Sequence, residues 1–198
     1  MTGTGGALMR GEEALVALGA NLPSPVGAPV ATLKAALAEL QARHGLRLRA
    51  LSRFFITPAF PEGSGPDYVN ACAVLQTGLP PQAVLAALHA VEAGLGRVRD
   101  GSRWGARGID LDLLAMGDRV LPDAATAADW RDLPPRRQRA EAPGQLILPH
   151  PRLQDRGFVL VPLAEIAGTW RHPATGQSVA AMLAALPQAG REAIRPLA

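Results

Sequence analysis

The chain carries one cysteine, Cys72, among 198 residues, which excludes any intrachain disulfide. Cys72 lies in an apolar run, so a small buried thiol is expected there and not a nucleophile. No apolar run approaches the roughly 20 residues of a membrane-spanning helix. The first residues also lack a signal-peptide core, because Leu8 and Met9 are followed by Arg10, Glu12 and Glu13. A cytoplasmic protein with no membrane partner is expected. Aromatic residues are only 4% of the chain, sparse for a surface that stacks bases. The four histidines and the lone cysteine show no zinc spacing. Neither Gly-x-x-x-x-Gly-Lys-Ser/Thr nor Gly-x-Gly-x-x-Gly occurs, so the P-loop and the dinucleotide fingerprint are both absent. There is no internal repeat.

What is present suits a folded globular unit. The hydrophobic content is 48% and the mean hydropathy +0.10, values of a globular chain with a sizeable core. One domain over residues 1–198 is expected, with Met1 to Gly11, a glycine-rich stretch, frayed. The formal net charge is +3 and the pI near 9.9. That surplus is local, since residues 97–107 hold four arginines and one acid, Asp100. One anion-binding patch follows more naturally than a broad nucleic-acid surface.

Apolar spacing places the elements. Ala14 to Leu18 reads as a buried strand stopping at Gly19-Ala20-Asn21. Val30, Leu33, Leu37 and Leu40 recur at helical spacing as far as His44-Gly45. Leu46 to Ile56 reads as a second strand closed by Thr57-Pro58, and Tyr68 to Leu79 as a third. Pro80-Pro81 opens a helix with Val84, Leu85, Leu88 and Val91 on one face, ended by Gly94 and Gly96. Ile109 to Met116 is the fourth strand. Residues 117–144 read as an irregular surface insertion with a short helix near Ala124 to Trp130. Leu146 to Leu148 is a candidate short strand, and helices are expected over Gly157 to Ala167, despite Pro162, and Val179 to Leu186. Strand, helix, strand, strand, helix, strand is the order of a ferredoxin-like α+β fold, an antiparallel-type sheet covered by helices.

The chemistry concentrates in Arg97-Val-Arg99-Asp-Gly-Ser-Arg103-Trp104-Gly-Ala-Arg107-Gly-Ile109-Asp110-Leu-Asp112. In a strand, Asp110 and Asp112 share one face while Ile109, Leu111 and Leu113 face a core. Adjacent like charges repel, so the pair requires a compensating cation. Two carboxylates suit Mg²⁺ held together with substrate phosphates, and arginines offer planar forks for phosphate oxygens. The glycines at 96, 101, 105 and 108 would let the loop close over a ligand. Trp104 fits a lid anchor and a hydrophobic plug equally. Tyr68, Asn70 and Phe158 could hold a flat heteroaromatic ring, Asn70 offering a donor and an acceptor, or the two aromatics could be core residues. His150, held between Pro149 and Pro151, is a candidate phosphate donor or metal ligand or a structural histidine. His44, His89 and His172 show no pattern.

Five segments together resemble the 6-hydroxymethyl-7,8-dihydropterin pyrophosphokinase family of folate biosynthesis: Leu18-Gly-Ala-Asn21-Leu; Ser52-Arg-Phe-Phe-Ile-Thr57-Pro58; Pro66-Asp67-Tyr68-Val-Asn70; Gly96 to Asp112; and Leu148-Pro-His150-Pro-Arg-Leu-Gln-Asp-Arg156-Gly-Phe158. The resemblance implies a ferredoxin-like monomer that transfers pyrophosphate from ATP to the hydroxymethyl group of the pterin, with two Mg²⁺. It implies that Asp110 and Asp112 bind both metals and that Arg97 and Arg107 steady the phosphates. Trp104 would ride the loop beside Arg103. Glu92, His150 and Arg156 would lie along the nucleotide. Tyr68 and Phe158 would sandwich the pterin, with Asn70 and the Thr57-Pro58 backbone reading its edges. Against the family pattern, Ala20 stands for a frequent serine, Asp100 for a basic residue, Gly108 for a larger one and Pro151 for a tyrosine of some members. Residues 117–144 are longer than in compact members. Two other classes compete: a ferredoxin-like nucleic-acid-binding module, and a metal-dependent phosphohydrolase using the same two aspartates.

Overall fold

The computed structural model describes residues 11–59, 65–97 and 108–197. Arg99, Arg103, Trp104 and Arg107, and all of Met1 to Gly11 except Gly11 itself, lie outside the described residues. The elements run β1 (Glu12–Ala20), α1 (Pro29–His44), β2 (Arg47–Leu51), β3 (Phe55–Thr57), β4 (Tyr68–Thr77), α2 (Pro81–Gly94) and β5 (Asp110–Met116). After them come α3 (Ala124–Arg131), α4 (Pro135–Ala140), a 3-10 turn (Leu153–Asp155), α5 (Gly157–Ala167), α6 (Val179–Ala185), α7 (Gln188–Glu192) and β6 (Arg195–Pro196).

The sheet order is β5-β1-β4-β3-β6, with β2 also paired to β4. Every strand pair is antiparallel. The mixed helix and antiparallel sheet expected from the sequence is thus what forms, and its strand order is consistent with a ferredoxin-like layer. One layer of core joins α1 and α2 to Val16, Leu18, Ala73, Leu75, Leu111 and Leu113. The opposite face buries Leu15, Cys72, Val74 and Leu114 against Leu153, α5 and α6. Leu33, Leu40 and Leu88 are fully buried, each worth about 1.5–3 kcal/mol in removed apolar surface.

Helix ends follow local chemistry. Pro29 and Pro81 occupy the first helical turns, where a missing N–H costs nothing. Gly45 closes α1 at φ 66°, in the left-handed region, with its N–H returning to Leu40 O. Pro162 is tolerated inside α5; it cannot donate to the Phe158 carbonyl one turn back.

Four expectations are corrected. The strand expected over Leu46 to Ile56 is two strands, because the Ser52 hydroxyl donates to Arg53 O and accepts the Cys72 N–H. In that break Arg53 binds Glu165 of α5 through its backbone N–H (3.0 Å) and its guanidinium Nε (2.8 Å). Gly19 and Ala20 belong to β1 and are not a turn after it. Leu146 to Leu148 is no strand but an isolated bridge of Leu148 to Leu121. Residues 117–144 hold a second helix, α4, besides the expected one.

Candidate active site

The site is built on the free edge of β5, the terminal strand of the sheet. Ile109, Leu111 and Leu113 are at most 3% exposed, while Asp110 and Asp112 are partly exposed and line one cleft. The period-two expectation for the acid pair therefore holds. Asp110 pairs with Gly19, and Gly19 pairs with Asn70 on its other side. These three residues form one row across the sheet, so Asp110 and Asn70 are about 10 Å apart, two strand spacings. Gly19, which has no side chain, is the residue between them in that row. A Cβ at Gly19 would lie 2.7 Å from Asn70 Oδ1. Asn70 Nδ2 donates to Thr57 Oγ1 at 2.7 Å, with both residues buried.

An open strand edge exposes backbone groups that must find partners. Here Leu111 N–H donates to Glu92 Oε1 at 2.8 Å and His150 N–H donates to Leu114 O at 2.7 Å. Glu92, fully buried on α2, also accepts from the Arg97 guanidinium, which donates in turn to Asp110. Burial opposes the Arg97 charge, but the carboxylates of Asp110 and Glu92 outweigh it and hold its pKa above the ordinary value. Arg156 Nη1 lies 3.3 Å from Asp112 Oδ2, and its guanidinium covers Phe158 at 5.6 Å. Among the described residues, Arg97 and Arg156 supply cations to the acid pair.

His150 Nδ1 accepts the Arg152 N–H at 3.0 Å. Burial, and then Arg156 and Arg152, push its pKa down to about 3. The ring is neutral at pH 7, its proton on Nε2, and it is a hydrogen-bond donor and not a cation.

The cleft is about 1120 Å³, more than the 300–1,000 Å³ of an ordinary small-molecule pocket. It brings together every described residue that the resemblance placed in the site: Thr57, Pro58, Tyr68, Asn70, Glu92, Arg97, Asp110, Asp112, His150, Arg156 and Phe158. Tyr68 and Phe158, ninety residues apart, are therefore cleft residues; Phe158 is 38% exposed. Sequence reasoning assigned His89 no role and set Leu85 on one face of its helix with Val84, Leu88 and Val91, yet both line the cleft. Gln82, Leu85, His89 and Glu92 recur at three- and four-residue intervals along α2, a helical stripe that could have been read. Cys72, fully buried, takes no part; burial pushes its thiol pKa up.

Among the described residues no group of three His, Cys, Asp or Glu could hold a metal alone. Two adjacent, partly exposed carboxylates fit an ion that completes its shell with phosphates and water.

A family model for 7,8-dihydro-6-hydroxymethylpterin-pyrophosphokinase matches residues 15–168. A 2-amino-4-hydroxy-6-hydroxymethyldihydropteridine pyrophosphokinase of Pseudomonas aeruginosa is 37% identical over 181 residues, covering 91% of this chain and 96% of that one. Its counterpart in Synechocystis sp. is 37% identical over 166 residues, covering 84% of this chain and 72% of that one. The crystal structure of wild-type Plasmodium falciparum HPPK-DHPS superposes with a TM-score of 0.62 over 88% of this chain at 13% identity. The chain spans 44% of that longer protein, and the likeness shows the fold. The chain belongs to the 7,8-dihydro-6-hydroxymethylpterin-pyrophosphokinase family and is an ATP-dependent transferase of pyrophosphate to hydroxymethyldihydropterin in folate biosynthesis.

Proposed function

We propose that pyrophosphoryl transfer takes place over the β5 edge, with Asp110 and Asp112 holding two Mg²⁺ against the triphosphate. The observation that carries this is the row Asp110–Gly19–Asn70, which sets the acid pair one ring-length from a buried amide. In this reading Asn70 and the Thr57-Pro58 backbone read the edges of the pterin, and Tyr68 and Phe158 take its faces. The ring's hydroxymethyl group then points along the row toward Asp110. Bound Mg²⁺ would neutralise the triphosphate and acidify the attacking hydroxyl.

The balance of the reaction is simple. The hydroxymethyl oxygen bonds to the β-phosphorus of ATP, the bridge between the α- and β-phosphorus breaks, AMP leaves, and the hydroxyl proton is released. Such transfers depend on alignment and charge neutralisation more than on a dedicated base. His150 donates from Nε2 to a phosphate oxygen without adding charge. Arg97 and Arg156, now bound to the two aspartates, exchange those carboxylates for phosphate oxygens as nucleotide and metal arrive. Glu92 is a positioning residue: it retains Arg97 and the β5 edge while that exchange occurs. Arg103, Trp104 and Arg107 would complete the phosphate grip from the loop. The resemblance to the family implies a monomer, and a fully buried lone thiol is in keeping with the cytoplasm.

The test is AMP formation from ATP with Mg²⁺ in the presence and absence of 6-hydroxymethyl-7,8-dihydropterin. AMP is expected only with the pterin. Release without it would indicate a hydrolase.

A further inference from the structure

Besides the acid pair and the aromatic residues assigned to the pterin, the cleft is lined by Leu85 of α2 and, from the segment after β5, by Trp130, Gln138 and Ile147. Trp130, at the end of α3, is partly buried, and among the described residues it has no ring contact or hydrogen bond. A large indole that lines a cavity and has no partner for its ring or its N–H can serve as a stacking platform for a flat ring. Gln138 Nε2 donates to Arg131 O at 3.0 Å. That bond fixes the amide orientation and leaves Oε1 as an acceptor. Leu85 and Ile147 add apolar surface to the same cleft.

We propose that the α3–α4 segment is the nucleobase wall of the ATP site. Trp130 covers the purine face, and Gln138 Oε1 accepts from the exocyclic amino group of adenine. Guanine presents a carbonyl oxygen at that position, so the same acceptor repels GTP. The insertion is therefore a specificity element and not surface decoration. This inference rests on the pyrophosphokinase reading of the cleft.

The experiment uses the full chain with Mg²⁺, ATP and hydroxymethyldihydropterin, and folding of each variant is checked by circular dichroism. Trp130→Ala is expected to raise KM for ATP about tenfold, the loss of one base–aromatic stack. KM for the pterin and kcat at saturating ATP should stay near wild type. Inorganic tripolyphosphate, which has no base, should inhibit wild type and Trp130→Ala equally. Trp130→Phe should restore the ATP affinity. Gln138→Leu should narrow the preference for ATP over GTP about tenfold, the worth of one hydrogen bond to a base, and it decides the matter if Trp130→Ala does not fold. A folded Trp130→Ala with unchanged KM for ATP overturns the wall, as does equal weakening of tripolyphosphate. If wild type forms no AMP from ATP and pterin, the reading of the whole cleft falls and the wall with it.

Discussion

A methyl group on Gly19 would press to 2.7 Å from Asn70 Oδ1, and Asn70 cannot swing away without giving up its 2.7 Å bond to Thr57. Gly19→Ala should therefore raise KM for the pterin about tenfold, the cost of one disrupted buried hydrogen bond. Steady-state kinetics should show a smaller change in KM for ATP. His150 gives a prediction in pH. Its folded pKa, about 3, is below the ordinary 6.5. Between those values the unfolded chain binds a proton that the folded one does not, so stability falls as pH drops from about 6.5 toward 3. His172, lowered by burial and then by Arg131, acts in the same sense. Urea unfolding of His150→Gln across that window should show a shallower acid-side loss than wild type. The residue scale was the most legible in sequence: strand periodicity alone put Asp110 and Asp112 on one face. The Gly19–Asn70 contact was not legible, because it depends on the register of β1 against β4. The neutrality of His150 depends on burial, which no local pattern reveals.

Helices with proline starts and glycine stops, α1 and α2 above all, were readable because their signals are local. The β2–β3 break was hidden: its cause is the Ser52 hydroxyl bonding to Cys72 across the sheet and Arg53 reaching Glu165. The short elements α7 and β6 were hidden for the same reason, having too few residues to show a period and depending on tertiary contacts. One of those contacts matters for the site. A Cβ at Gly157, the first residue of α5, would lie 2.6 Å from Gly190 O and 2.9 Å from Ile194 Cδ1. The α7 end of the chain thus buttresses the helix start that carries Arg156 and Phe158. Gly157→Ala should lower stability by about 1–3 kcal/mol through this overpacking. Thermal unfolding checks it, and a parallel rise in KM for the pterin is expected from the displaced Phe158.

The described residues place an antiparallel sheet between helical layers, and one cleft is lined by Asp110 of β5, Gly19 of β1 and Asn70 of β4 together with Phe158 of α5. Its net charge of +3 is less informative than the pairing inside the cleft, where Arg97 and Arg156 already neutralise the two aspartates. In the proposed site a divalent metal alone would compete with those guanidinium groups, whereas nucleotide phosphates would draw them away. Mn²⁺ affinity, followed by electron paramagnetic resonance, should therefore rise at least about tenfold when a non-hydrolysable ATP analogue is present, a coupling of ordinary size between two sites. Arg97→Gln should bind Mn²⁺ alone more tightly than wild type. The account stands most directly on the turnover of Asp112→Asn, a nearly isosteric change, measured with circular dichroism as the folding control. The prediction is a fall in kcat of at least about a hundredfold, as when one group that meets developing charge is removed, with an unaltered fold. A folded Asp112→Asn that turns over like wild type would contradict it.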